Sequence, residues 1–411
     1  MLGVEFIRSI AIRSLTLVRP RSDLVNESKG YPYLENKDYL LSIGSYNGDI
    51  SILKYNPFHN TISNVSTYHQ ANFQPSWQSI HPTRKIIYST NEGNPGGLVS
   101  LQLDRASGKL KKLGQSEGIN GTVSIAFHEK LALVAAYTGH SVQSFEINDA
   151  GDISQARDTF TYSLGNPGPN KERQDSSHPH QVIVDPTGHY AIAPDLGADL
   201  LRLYNINGTN LSELQTIPVT SGSGPRHAAF LVLDKPDEPN ERNRAIVYVV
   251  NELRNTLTVF QTRQLENGTF VFNQVQELNT LLPSSTEKLV SVPSPTAGEI
   301  VISKDKRFLY VSNRNDYSFK DKKFGCSDSI ALYKIDPKTG LVTFVKLLQA
   351  GGITPRHFSF DESGKFVAIA LQETDTVVIY KVDTATGEFL DAENHNLSFH
   401  VSDRPVCVNW L

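Results

Sequence analysis

From Asp38 onward, apolar and polar positions alternate in short runs, and no stretch keeps a helical period long enough to build a helix. The runs are rich in Val, Ile, Leu, Tyr and Phe. Each ends in a cluster of Gly, Pro, Asn or Asp, the punctuation of strands joined by tight turns. They recur in pairs. Residues 75–80 precede 85–92, 122–127 precede 131–137, and 179–184 precede 189–195. Further on, 225–230 precede 245–252, 297–302 precede 307–314, and 355–360 precede 365–371. A third apolar run follows each pair and closes on an aromatic, as at Tyr204, Phe260, Tyr333 and Tyr380. A polar turn often comes next, as in Asp336-Pro-Lys-Thr-Gly340 and Asp383-Thr-Ala-Thr-Gly387, and a fourth strand is expected after it.

Repeats of roughly fifty residues with four strands each are propeller blades. Third strands number seven, counting the one that ends at Tyr55. That blade has a second strand, 39–45, but no first strand before it. The chain ends in Arg404-Pro-Val-Cys-Val-Asn-Trp410, which reads as a first strand with nothing after it. The pattern therefore predicts an all-β, seven-bladed β-propeller over residues 36–411. Its C-terminal strand completes the first blade and removes the exposed edges. Three segments interrupt the repeat: 165–177, 234–243 and 316–328.

Composition narrows the function classes. The chain has 411 residues and a formal net charge of −4, so nothing points to nucleic acid as a partner. No apolar run is long enough to span a membrane as a helix. Two cysteines, Cys326 and Cys407, exclude a disulfide framework, and the repeat order puts them in non-adjacent blades. Residues 1–35 read as an N-terminal arm or targeting segment, because Arg8, Arg13, Arg19 and Arg21 interrupt its apolar residues. Asn-x-Ser/Thr sequons stand at Asn26, Asn64, Asn120, Asn207, Asn210, Asn267 and Asn396. They permit a secreted protein, while a cytoplasmic one is the expectation. Nothing in the pattern sets an oligomeric state.

In a propeller the first strands line the axis. Strands one and two are antiparallel, so the start of one and the end of the next share a face. Those positions collect Tyr46, Asn47, Asn91, Glu92, Tyr137, His178, His180, Asp195, Arg226, His227, Asn251, Glu252, Asn313, Arg314, Arg356, His357, Gln372 and Glu373. Arginine offers a planar fork to a carboxylate or phosphate. Histidine and glutamate move protons near neutral pH, and clustered cations stabilise negative charge developing on oxygen. The expected partner is a small anionic lactone or a polycarboxylate. No metal is expected, because the arginines repel a cation and no His/Asp/Glu set has compact ligand spacing. No cofactor is expected either. The period-two rule puts His227 and His357 on the opposite side of their strands from Arg226 and Arg356, which favours structural roles for both histidines. His178 and His180 share a face, and alternation does not choose between them. Asp195 and Asp199 are expected to shape a turn around Gly197.

The motifs Gly224-Pro-Arg-His227 with Val250-Asn-Glu-Leu253, His178-Pro-His-Gln-Val-Ile-Val-Asp-Pro-Thr-Gly188 and Pro355-Arg-His357 stand in one order along the chain. In that order they resemble the seven-bladed β-propeller lactonases. That family includes propeller-type 6-phosphogluconolactonases and fungal 3-carboxy-cis,cis-muconate lactonizing enzymes. The resemblance implies a metal-independent site of one histidine, two arginines and one glutamate, which here match His180 (or His178, two residues earlier on the same strand entry), Arg226, Glu252 and Arg314. His178, Arg356, Asn251 and Asn313 are added as substrate-binding candidates. The implied activity is hydrolysis of a lactone of an acidic sugar. Two alternatives stand beside it: reversible cyclisation of a carboxymuconate, and a non-catalytic binding propeller. Arg226 and Glu252 also have a bland reading, as a buried salt bridge that only holds neighbouring blades together.

Overall fold

The computed structural model describes residues 36–70, 72–233, 242–264, 270–282, 294–321, 323–390, 397–401 and 403–411, with the side chains of 242–244 excepted. The arm 1–35, most of the 234–243 loop and the sequons at Asn26, Asn267 and Asn396 lie outside these residues. Seven antiparallel sheets of four or five strands follow one another along the chain. Helix is confined, among the described residues, to the three-residue turn Gln372–Thr374.

Closure of the ring follows the expectation. Pro405–Trp410 pairs with Tyr39–Ser45, in a register that sets Leu41 opposite Trp410 and Ile43 opposite Val408. The last strand of the chain thus becomes the innermost strand of the first blade, in the order 61–69, 49–56, 39–45, 405–410. The ends of a linear repeat would otherwise expose two unpaired edges, and the pairing removes both.

The alternation seen in the sequence is used twice, once on each face of every blade. Middle strands such as Leu131–Ala136 and Phe366–Leu371 are buried throughout, because a neighbouring blade covers each face. Outer strands such as Thr61–His69 alternate exposed and partly exposed positions. The core is consequently divided. Among the described residues seven buried apolar clusters lie between successive blades, and the one joining the seventh blade to the first contains Val408, Leu41 and Ala368.

The Thr-Gly turns lock one blade to the next. Tyr248 donates its hydroxyl to the carbonyl of Gly340 at 2.6 Å, and Tyr310 does the same to Gly387 at 2.9 Å. Both tyrosines lie in second strands, and both turns belong to the following blade. A buried tyrosine needs a hydroxyl partner, and the turn carbonyl supplies it. Gly340 has φ of 70°, and a Cβ there would meet Ile246 Cγ1 at 2.4 Å, so the turn takes no larger residue without strain. The 316–328 insert folds as a small hairpin, Phe319–Asp321 with Gly325–Ser327. At its base Asp328 accepts the backbone N–H groups of Asn315, Tyr317 and Thr354.

Candidate active site

A proline opens the axial segment in five blades, at Pro75, Pro179, Pro225, Pro355 and Pro405. In the first strands the register then slips: between Thr122 and Ser124, Pro225 and His227, Ala297 and Ile300, and Pro355 and His357. Each slip is a β-bulge, in which one strand carries an extra residue against its partner. Arg226 and Arg356 are those extra residues. The bulge breaks the period-two rule, and this corrects the expected placement of His227 and His357. Arginine and following histidine do not part to opposite sides; Arg226, His227, Arg356 and His357 all line one small axial cavity, with His180 and Trp77.

Above this cavity Glu252 ends its strand with 1% of its surface exposed. Its N–H donates to the carbonyl of Gly224 at 2.8 Å, and the Gly224 N–H in turn donates to Asp199 at 2.8 Å. Asp199 therefore shapes the turn that leads into Arg226, and Asp195 accepts the N–H of His178 at 2.7 Å. Three guanidinium groups meet the Glu252 carboxylate: Arg173 at 2.6 Å, Arg226 at 3.0 Å and Arg314 at 3.0 Å. Burial alone would raise its pKa, but Arg314, Arg173 and Arg226 outweigh burial and hold it at about 2. Arg226 and Arg314 are themselves fixed by donating to the carbonyls of Gly298 at 3.0 Å and Ala297 at 2.8 Å. Burial and the nearby Arg314 lower the proton affinity of Arg226, with Glu252 opposing them.

Arg356 comes from the seventh blade, two blades on from Arg226. It pairs with Glu92 at 3.3 Å, and its guanidinium lies 5.3 Å from the Tyr46 ring centre. Tyr46 donates its hydroxyl to the same Glu92 at 3.0 Å.

The structure separates the two histidines that alternation could not. His178 is engaged through both ring nitrogens, with the Tyr137 carbonyl at 3.0 Å and Asp175 at 2.9 Å, and its ring stacks on Tyr137 at 4.2 Å. His180 lines the cavity, and its Nδ1 lies 3.2 Å from His227 Nε2. Burial, reinforced by Arg226, His227, Arg356 and Arg314, pushes its pKa well below 6.5, so the ring is neutral near pH 7.

Asn251 and Asn313, proposed from sequence as substrate-binding, are each 0% exposed. The amide of Asn251 donates to Thr256 and Thr258, and that of Asn313 to the Thr280 carbonyl and Ser329. Asn251 thus ties its strand to the next strand of the same blade, while Asn313 also reaches the preceding blade.

Three residues at the site, Trp77, Arg173 and Glu299, were not singled out from sequence. Arg173 comes from the 165–177 segment, and a loop's conformation leaves no periodic trace. Glu299 was legible: Ala297-Gly-Glu occupies the place of Pro225-Arg-His and Pro355-Arg-His, so Glu299 stands where His227 and His357 do. Among the described residues, no group of three or more His, Cys, Asp or Glu is placed to hold a metal ion.

Comparisons with known proteins converge on one group. A family model described as "Lactonase, 7-bladed beta-propeller" matches residues 40–410. A protein of Arthroderma benhamiae named "Probable 6-phosphogluconolactonase" is 31% identical over 340 residues, covering 82% of this chain and 80% of the relative. The 6-phosphogluconolactonase of Bacillus subtilis is 26% identical over 343 residues, covering 82% and 87%. The structure of the periplasmic gluconolactonase of Pseudomonas aeruginosa shares the fold, with a TM-score of 0.73, 24% identity, and coverage of 91% of this chain and 99% of that one.

Proposed function

The chain belongs to the seven-bladed β-propeller lactonases, and from that premise we propose that it hydrolyses the lactone of a phosphorylated sugar acid, as 6-phosphogluconolactonase does. One observation supports this reading above the others. Three arginines converge on the single carboxylate of Glu252, which leaves surplus positive charge at the head of the axial cavity. An anionic ligand is the natural complement.

The roles follow from protonation. A carboxylate held at about pKa 2 is too weakly basic to take a proton from water near pH 7, so Glu252 orients the arginines. His180 is neutral there and is the base. It takes a proton from water as the water oxygen bonds to the lactone carbonyl carbon. Arg226, with Arg356 in the same cavity, stabilises the oxyanion. The ring C–O bond then breaks, and His180 returns the proton to the departing alkoxide. Water is consumed, and the product is the open hydroxy acid. Arg173 is the most exposed cation on Glu252, its side chain 38% accessible, and is placed to meet the phosphate.

The test compares 6-phosphoglucono-δ-lactone with the same lactone lacking phosphate. Charge-assisted hydrogen bonds contribute about 1.5–3 kcal/mol each, so kcat/KM is expected to favour the phosphorylated lactone about ten- to a hundredfold per contact. In Arg173→Ala the preference shrinks, mostly through KM. Equal kcat/KM for both lactones in the wild type contradicts the phosphate assignment.

A further inference from the structure

Below the arginines, a chain of hydrogen bonds runs away from His180 to a buried carboxylate. Glu299 is 3% exposed. Its Oε1 lies 3.0 Å from His227 Nδ1 and accepts the Ile300 N–H at 2.9 Å. His227 Nε2 then meets His180 Nδ1 at 3.2 Å. On the far side, His357 Nδ1 accepts the Val408 N–H at 3.3 Å, so its own proton sits on Nε2, 3.8 Å from Glu299 Oε2. Trp77 stands edge-on to both histidines, at 5.3 Å and 5.1 Å, and walls the chain from solvent.

The tautomers follow by elimination. Burial would raise the pKa of Glu299, but the hydrogen bond from His227 and the nearby Arg226 oppose it and hold it below the usual carboxylate range, so the group is a carboxylate and only accepts. His227 must therefore carry its proton on Nδ1. Burial and Arg226 push its pKa down to about 4, so it is neutral near pH 7 and its Nε2 is a lone pair. That lone pair accepts from His180 Nδ1. The His180 proton is thereby placed on Nδ1, and Nε2, which has no hydrogen-bond partner among the described residues, is left as the basic atom. Arg226 Nη1 lies 3.2 Å from both nitrogens of His227. One atom cannot lie along two lone pairs that diverge around a ring, so this contact leaves the in-plane directions to Glu299 and His180.

We infer that Glu299 and His227 are positioning residues that hold His180 in the Nδ1–H tautomer and stabilise the imidazolium formed when His180 takes a proton from water. The same logic operates wherever a buried carboxylate orients a catalytic histidine, here with a second imidazole between the two. The kinetic part rests on the lactonase reading; the tautomers do not. The charged and titratable groups facing His180 are Arg226, Arg314, Arg356, His227 and Tyr137, whose ring lies edge-on at 5.4 Å, with Glu299 and His357 beyond His227.

Glu299→Gln keeps the shape and the acceptor for Ile300 N–H while removing the charge. It is expected to lower kcat on the order of 10²-fold, leave KM nearly unchanged, and move the acid limb of kcat to lower pH, because His180 loses its anionic support. A merely structural glutamate would change thermal stability and leave the acid limb in place, and that result overturns the inference. Long-range proton–nitrogen spectra of the ligand-free wild type supply an independent readout, in which His180 and His227 should both show the Nδ1–H pattern. An Nε2–H pattern on either ring overturns the relay. If the wild type shows no turnover of the lactone, the lactonase reading fails, and the tautomer spectra alone decide the relay.

Discussion

Arg226→Ala is expected to lower kcat/KM on the phosphorylated lactone about a thousandfold, the largest loss of any single substitution in the arginine set. Removing one preorganised donor at a developing oxyanion costs about 10²–10³ in rate. Arg226 lines the axial cavity directly, whereas Arg314 reaches Glu252 from outside it. The substitution also breaks a buried ion pair. Losing one partner of such a pair costs about 3–5 kcal/mol, because the other charge stays buried. Here the cost falls at the low end, since Arg173 and Arg314 still neutralise Glu252. A thermal melt beside the kinetics separates the two effects. A protein that is folded at the assay temperature and still turns over at the wild-type rate would reduce Arg226 to a tie between blades.

The second large effect is expected at His180. His180→Ala should lower kcat about 10²–10⁴-fold with little change in KM, the range for removing a general base that does not anchor the substrate. The wild-type pH profile carries the sign. Burial and the surrounding cations depress the proton affinity of His180 below 6.5, so the base is already neutral at that pH. Activity should then stay level on going from pH 7.5 to 6.5 and decline only below, as protonation of His180 removes the base. An acid limb centred above 6.5 contradicts the assignment. In His180→Ala the limb should vanish while spontaneous lactone opening continues.

Most of the fold was legible because each blade repeats one physical pattern. Second strands are buried on both faces and therefore read as unbroken apolar runs, such as 131–136 and 366–371. The orphan strand at 405–410 and the incomplete first blade predicted ring closure without any knowledge of contacts. The site was legible in outline, since polar residues at the ends of apolar strands are costly unless they face a cavity or one another. What alternation could not supply was local irregularity. The bulges at Arg226 and Arg356 place consecutive side chains on one cavity, and a strict period of two assigns their histidines to the wrong side. The same rule could not see that the amides of Asn251 and Asn313 are taken up by neighbouring strands and loops. Arg173 belongs to a segment whose path depends on tertiary contacts, including its reach to the Tyr137 hydroxyl at 3.3 Å. Glu299 needed only a comparison of strand entries across blades, because its neighbours in that comparison are the two histidines it meets in space.

The central claim is that an arginine-lined propeller axis opens a phosphorylated sugar lactone with His180 as base. Its most direct test is the rate of disappearance of freshly generated 6-phosphoglucono-δ-lactone with purified protein, measured against the spontaneous rate and against the His180→Ala protein. The account predicts strong acceleration by the wild type, with product formed as the open acid and most of the acceleration lost in the variant. A wild-type rate equal to the spontaneous one, from protein shown to be folded, would contradict it.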